Sequence, residues 1–140
     1  MGRAALLVDA GPLFAYVDRR DRFHDETLDV FERHAGPLLV PIMVVAEVMH
    51  LVATRLGTEP EVRLLADFAA GTLIAEPVAA SDWLRIGQLV GRYHELRLGT
   101  VDASVVAAAE RLAIDTIVTL DRRHFSVVRP SHVEAFVLLP

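Results

Sequence analysis

The sequence predicts an α/β fold: a single domain with a mostly parallel central sheet and helices on both faces. Three observations carry that expectation. Short apolar, β-like runs alternate with longer helix-like segments along the whole chain. The length, 140 residues, suits one domain able to bury most of its unfolded surface around one core. Asp9 and Asp121 directly follow the strand-like runs 5–8 and 116–120, and open parallel sheets bind their ligands at the ends of neighbouring strands. No linker, repeat or low-complexity stretch divides the chain, so residues 1–140 read as one domain.

The elements follow in order. Ala5 to Val8 is an apolar run of strand length. Gly11-Pro12 opens a short helical stretch. From about Asp21 to His34, Phe23, Leu28, Val30 and Phe31 fall near helical spacing, and Gly36-Pro37 stops the segment. Leu38-Leu39-Val40 is a second short strand, ended by Pro41. Ile42 to Leu56 reads as a buried helix closed by Gly57. Residues 60–70 form another helix, stopped by Gly71, and 72–75 a third strand. Ser81 is placed to cap a helix over 82–95, and Gly99-Thr100 introduces the Ala-rich helix 101–113. Strands are expected at 116–120 and 126–129, before an apolar tail, Ala135 to Leu139.

Composition narrows the function. Hydrophobic residues make up 53% of the chain, which excludes disorder and leaves apolar surface for a partner. Cysteine is absent, so there is no disulfide, no thiolate nucleophile and no sulfur-ligated zinc. Only five apolar residues separate Arg3 from Asp9, too few for a signal-peptide core, and no run reaches membrane-span length. A cytoplasmic setting is the default. All fourteen basic residues are Arg, as codon bias in a GC-rich genome produces. Without Lys there is no Schiff base, no Walker-type phosphate clamp and no lysine partner for a phosphorylated aspartate.

The chemistry rests on four carboxylates. Asp9, Glu47, Asp102 and Asp121 each lie beside or inside an apolar run, where an unpaired charge is expensive. Carboxylates in such places hold a metal ion or share protons. Their surroundings carry a resemblance. Val8-Asp9-Ala10-Gly11-Pro12-Leu13 resembles the opening of a PIN domain, and Pro41-Ile42-Met43-Val44-Val45-Ala46-Glu47-Val48 its second acidic motif. The segment 102–110 is similar to the third, and Thr119-Leu120-Asp121-Arg122-Arg123-His124-Phe125 to the fourth. Four weak motifs in order, spread from residue 5 to about 129, make a specific match. This chain has Ala10 where many members carry Thr or Ser, so no hydroxyl follows the first Asp. The small size and the His-Phe ending resemble the VapC toxins of bacterial toxin–antitoxin pairs, which implies a metal-dependent ribonuclease.

Phosphodiester hydrolysis needs an activated water and charge stabilisation at phosphorus, which one or two Mg²⁺ or Mn²⁺ ions supply. Such hard ions take oxygen ligands. Asp9 and Asp102 are assigned as the main metal ligands, with Glu47 orienting or deprotonating the attacking water. Asp121 completes the cluster or holds a second ion, and Thr119 orients a ligand or water. Duller roles compete: Asp9 and Asp121 as helix caps, Asp102 as a first-turn acid favoured by the helix dipole, and Thr119 as an ordinary strand residue. Asp18, Asp21, Asp25 and Glu26, mixed with arginines, read as a solvated loop outside the site. Glu47 and His50 form one Glu-x-x-His unit, and a single copy in an α/β pattern makes no di-iron site. His50 reads as a helix-face residue, and His124, beside Arg122 and Arg123, as a candidate phosphate contact.

The net charge is −5, but with the four acids set apart the remaining body is near neutral. RNA binding is then carried by local arginines, with Arg19, Arg20, Arg22, Arg122 and Arg123 as candidates, and is salt-sensitive. A receiver domain lacks support because it needs a strand-end Lys. A haloacid-dehalogenase-like phosphatase would want an acid where Gly11 stands. A catalytically silent module of the same fold is the stronger alternative. The resemblance also implies a VapB-like antitoxin that lays an amphipathic segment along an apolar groove and reaches the acids with a basic side chain. A homodimer is expected.

Overall fold

The computed structural model describes residues 3–140. Five strands, β1 (Leu6–Val8), β2 (Leu38–Pro41), β3 (Ile74–Glu76), β4 (Thr116–Val118) and β5 (Val137–Leu139), form one sheet in the order β3-β2-β1-β4-β5. Every neighbouring pair is parallel, so the sheet is wholly rather than mostly parallel. Parallel neighbours require crossovers. These are built from α1 (Ala10–Val17), α2 (His24–Arg33), α3 (Ile42–Arg55), α4 (Thr58–Ala69), α5 (Asp82–Arg92), α6 (Thr100–Leu112) and α7 (Arg122–Val127).

Leu6, Leu7 and Val8 are all buried, and because successive strand residues point to opposite faces, both faces of the sheet are covered. α3 buries Val44, Val48 and Val52, an i, i+4, i+8 stripe. α6 is buried continuously from Ala103 to Ala109, and its small side chains let it sit deep in the molecule with α5 packed along it. Gly57, at φ 98°, makes the tight turn from α3 to α4.

Charged side chains tie α5 and α6 to what surrounds them. The Arg85 guanidinium donates to both carboxylate oxygens of Glu110 at 2.6 and 2.9 Å, and the Ser131 N–H donates to Glu110 Oε2 at 2.6 Å. Arg111 donates to Asp82 and to Glu76, joining α6 to the start of α5 and the end of β3.

The structure corrects three local expectations. Residues 126–129 form no strand: Asp121 caps α7 by accepting the His124 N–H, and the helix drives Phe125 into the core, edge-on to Phe136. The fifth strand comes instead from the tail, at Val137–Leu139. Ser81 makes no capping bond; the neighbouring Asp82 carboxylate instead accepts the Ala79 N–H at 2.9 Å and closes the turn that leads into the helix. The helix expected over 82–95 ends at Arg92 and continues as turns. Among the described residues no helix is long and apolar enough to cross a membrane.

Candidate active site

The chain runs from β1 outward to β2 and β3, then returns to the other side of β1 to make β4. The order therefore reverses between β1 and β4, a crevice that open α/β sheets use for ligands. Asp9 and Thr119 follow these strands directly. The Asp9 N–H continues the ladder to the Val118 carbonyl at 2.9 Å, and the Thr119 N–H to the Leu139 carbonyl at 2.8 Å.

Asp9 is 7% exposed and stands at the N-cap of α1, yet its side chain makes no capping bond. The carboxylate is held by Thr119 instead. This fully buried hydroxyl donates to Asp9 Oδ2 at 2.9 Å and accepts the Asp121 N–H at 3.0 Å. Thr119, just past the end of β4, thus supplies a hydroxyl that position 10 lacks. Burial pushes Asp9 above the usual carboxylate range, against hydrogen bonds from the Ala10 backbone and Thr119, and the charge of Asp121 adds to the rise.

Asp102 lies in the first turn of α6. Burial first, and then the charges of Asp9, Asp121 and Glu47 over the opposing pull of His124, push its carboxyl up to about 6. Glu47 is raised by partial burial and by Asp9. Its position corrects the expectation of an acid inside an apolar helix: Val44 and Val48 take the buried stripe of α3, and Glu47 occupies the exposed face beside Ala46 and His50. Asp102 feels the charges of Asp9, Asp121 and Glu47, and Asp9 interacts with Asp121 and with Glu47, so the fold gathers the acids.

His124 completes the cluster. Its Nδ1 is 2.5 Å from Asp121 Oδ2 and 3.5 Å from Asp102 Oδ2, while Nε2 faces the Leu96 carbonyl at 3.1 Å. Both ring nitrogens face acceptors only, which favours the imidazolium. Burial works against that charge, but the Asp121 hydrogen bond and charge, the Leu96 carbonyl and Asp102 prevail, and His124 titrates above the usual imidazole range. Sequence reading treated His124 only as a phosphate contact. The Asp121-x-x-His124 spacing across a helix cap was the available signal.

Ligand atoms of Asp102, Asp121 and His124 lie within 4.8 Å of one another. Among the described residues no Arg makes an ion pair with Asp9, Glu47, Asp102 or Asp121. Asp9 and Glu47 lie outside that group of three and are joined to it by the charge interactions of Asp9 with Asp121 and of Asp102 with Asp9 and Glu47. An acidic site with one imidazole as counter-charge suits a hard divalent cation. The arginines flanking the strand ends are placed less directly: the Arg122 side chain donates to the Pro140 carbonyl, Arg22 stacks on the Phe23 ring, and Arg19 lines a separate cleft.

The PIN domain family matches residues 6–129. Ribonuclease VapC26 of Mycobacterium tuberculosis is 35% identical over 135 residues, covering 96% of this chain and all of that protein. Among solved structures, VapC20 of Mycobacterium tuberculosis, described as a sarcin-ricin loop cleaving toxin, superposes with a TM-score of 0.78 at 19% identity, covering 92% of this chain and 98% of that one. VapBC2 from Rickettsia felis, bound to a promoter DNA fragment, superposes at 0.69 and 15% identity, covering 96% of both chains. The gathering of four acids at the β1/β4 crevice and a match running from the first strand past the last helix lead to one assignment: the chain belongs to the PIN-domain family, alongside the VapC ribonucleases.

Proposed function

We propose that the chain is a divalent-metal-dependent endoribonuclease, the toxin of a toxin–antitoxin pair. The observation that carries this reading is the convergence of Asp9, Glu47, Asp102 and Asp121 at the sheet's switch point without an Arg to neutralise them. Asp9 and Asp102 are the main ligands of a Mg²⁺ or Mn²⁺ ion, with Asp121 completing the set. When bound, the ion supplies water activation and charge neutralisation at phosphorus. Glu47, on the open face of α3, orients the water and accepts its proton on a carboxylate oxygen. Thr119 fixes the rotamer of Asp9, and His124 holds Asp121 beside Asp102, where the carboxylates would ligate the ion.

An antitoxin of the VapB kind is the expected inhibitor. A cleft of about 600 Å³ is lined by Tyr16, Val17, Leu28 and Leu64 with Arg19 and Asp67, and a second of about 290 Å³ shares Tyr16 and Leu28 with it. This apolar surface with polar edges suits an amphipathic segment.

The test is cleavage of RNA with Mg²⁺, with EDTA, and by Asp9→Asn. The expected result is cleavage in Mg²⁺ alone, leaving 3′-hydroxyl and 5′-phosphate ends, and near-complete loss in Asp9→Asn with the fold retained. Cleavage that survives EDTA and leaves 2′,3′-cyclic phosphate ends would overturn the metal assignment. Metal binding lost in Asp9→Asn but no cleavage by the wild type would point to a catalytically silent module.

A further inference from the structure

Two non-glycine residues among those described hold a positive φ: Ala113 at 55° and Arg97 at 58°. Ala113 ends α6 with a small side chain. Arg97 stands where the turns after α5 close. The Leu98 N–H donates to the Tyr93 carbonyl at 3.3 Å and the Arg97 N–H to the His94 carbonyl at 3.0 Å, the pair of bonds that ends a helix through a left-handed residue. Glycine takes that place without strain. A long charged side chain there lowers stability, so its presence calls for another reason.

The backbone around Arg97 is fixed and lies beside the acids. Leu98 is 3% exposed, and the Leu96 carbonyl faces His124 Nε2 at 3.1 Å while His124 Nδ1 touches Asp121. Standard covalent geometry along that path puts the Arg97 Cα at most about 11 Å from the Asp121 carboxylate, of which an extended arginine spans roughly 7 Å. The Arg97 side chain is exposed, and among the described residues it makes no ion pair, hydrogen bond or ring contact. It neither neutralises the acids nor supports the core.

We propose that Arg97 is a substrate-binding residue, a guanidinium presented on a strained turn to grip the RNA phosphate next to the one being cut. This rests on the ribonuclease reading above. A guanidinium fork matches a phosphate in two places at once, and a chain whose acids surround the metal needs a cation just outside them to receive a polyanion.

The test uses Arg97→Gly, which relieves the backbone, with Arg97→Lys and Arg33→Gln beside it. Arg33 sits in an exposed pair with Asp29 on α2 and controls for loss of one positive charge. Binding of a random-sequence single-stranded 20-mer RNA is read by fluorescence anisotropy at several salt concentrations, with Ca²⁺ in place of Mg²⁺. Arg97→Gly is expected to weaken binding about fivefold to tenfold and to reduce the log–log salt slope by about 0.7. Its melting midpoint should equal or exceed the wild type's, and its Mg²⁺ affinity should be unchanged. Arg97→Lys should keep the slope, and Arg33→Gln should match the wild type throughout. Wild-type RNA affinity and slope in Arg97→Gly would overturn the role of Arg97 while leaving the ribonuclease reading intact. A wild-type protein that neither binds nor cleaves RNA would overturn both.

Discussion

Replacing Thr119 by Val is a selective perturbation of the site, because Val keeps the branched shape and removes only the hydroxyl. The side chain is fully buried, and Val fills nearly the same volume, so no cavity forms. Two hydrogen bonds disappear, one to Asp9 Oδ2 and one from the Asp121 N–H. A bond to a charged group contributes about 1.5–3 kcal/mol, and the part-buried Asp121 N–H left without its acceptor costs about 1 kcal/mol. The two losses overlap, since Asp9 can protonate and Asp121 can shift, which leaves a net loss of about 2–3 kcal/mol. For a chain of this length that is a fall in melting midpoint of roughly 7–10 °C. The hydroxyl also holds the Asp9 pKa down, so its removal should disfavour the ionised ligand and weaken Mg²⁺ binding about tenfold or more. Thermal unfolding with and without Mg²⁺, together with calorimetric titration, measures both effects. Thr119→Ser keeps the hydroxyl and should retain metal affinity with a smaller loss of stability. If Thr119→Val melts within a degree or two of the wild type and binds Mg²⁺ equally well, the hydroxyl is not what ties the two strand-end acids together.

Asp102→Asn should stabilise the metal-free protein near neutral pH by about 1–2 kcal/mol after solvent screening. Because the folded Asp102 titrates at about 6, above its unfolded value, its destabilising effect is full above that pH and vanishes below about pH 4; urea melts at pH 7 and pH 4 check the sign. Glu110 behaves oppositely: burial pushes it up, but Arg85 and Ser131 prevail and hold it below the usual range. Its stabilisation is present above about pH 4.5 and is lost as acid titrates it. Glu110→Gln should therefore cost about 1–2 kcal/mol at pH 7 and flatten the acid limb of a stability profile. Trp83 and Leu84, exposed at 57% and 73% on α5, are expected in the homodimer contact. Sedimentation velocity should show Trp83→Ser/Leu84→Ser as a monomer, and an unchanged dimer would place the contact elsewhere.

How much of this was legible in the sequence depends on where the deciding force lay. Apolar runs marked β1, β2 and the body of β4, since strands buried on both faces must be apolar throughout. The run Ser126-Val127-Val128 misled because its β-branched residues look like a strand, whereas a local cap at Asp121 and the burial of Phe125 set its conformation. Glu47 was found for an imperfect reason: its apolar neighbours suggested burial, but the stripe that is buried passes one residue away. The closeness of Asp9 to Thr119 and Asp121 depends on strand order, which no local pattern states. His124 was undervalued although its nearer partner, Asp121, stands three residues before it; only its 3.5 Å approach to Asp102 depends on another helix.

The hydrogen bond between Thr119 and Asp9 joins positions 110 residues apart, and the sheet brings them together only by crossing back over its first strand. Contacts this distant in sequence form late, after the loops between them have closed. A half-made chain therefore has Asp9 and Glu47 but lacks Asp102, Thr119 and Asp121, and with them the crevice that unites the acids. The acidic site is a property of the finished fold alone, and the chemistry proposed for it cannot begin before the chain has closed its sheet.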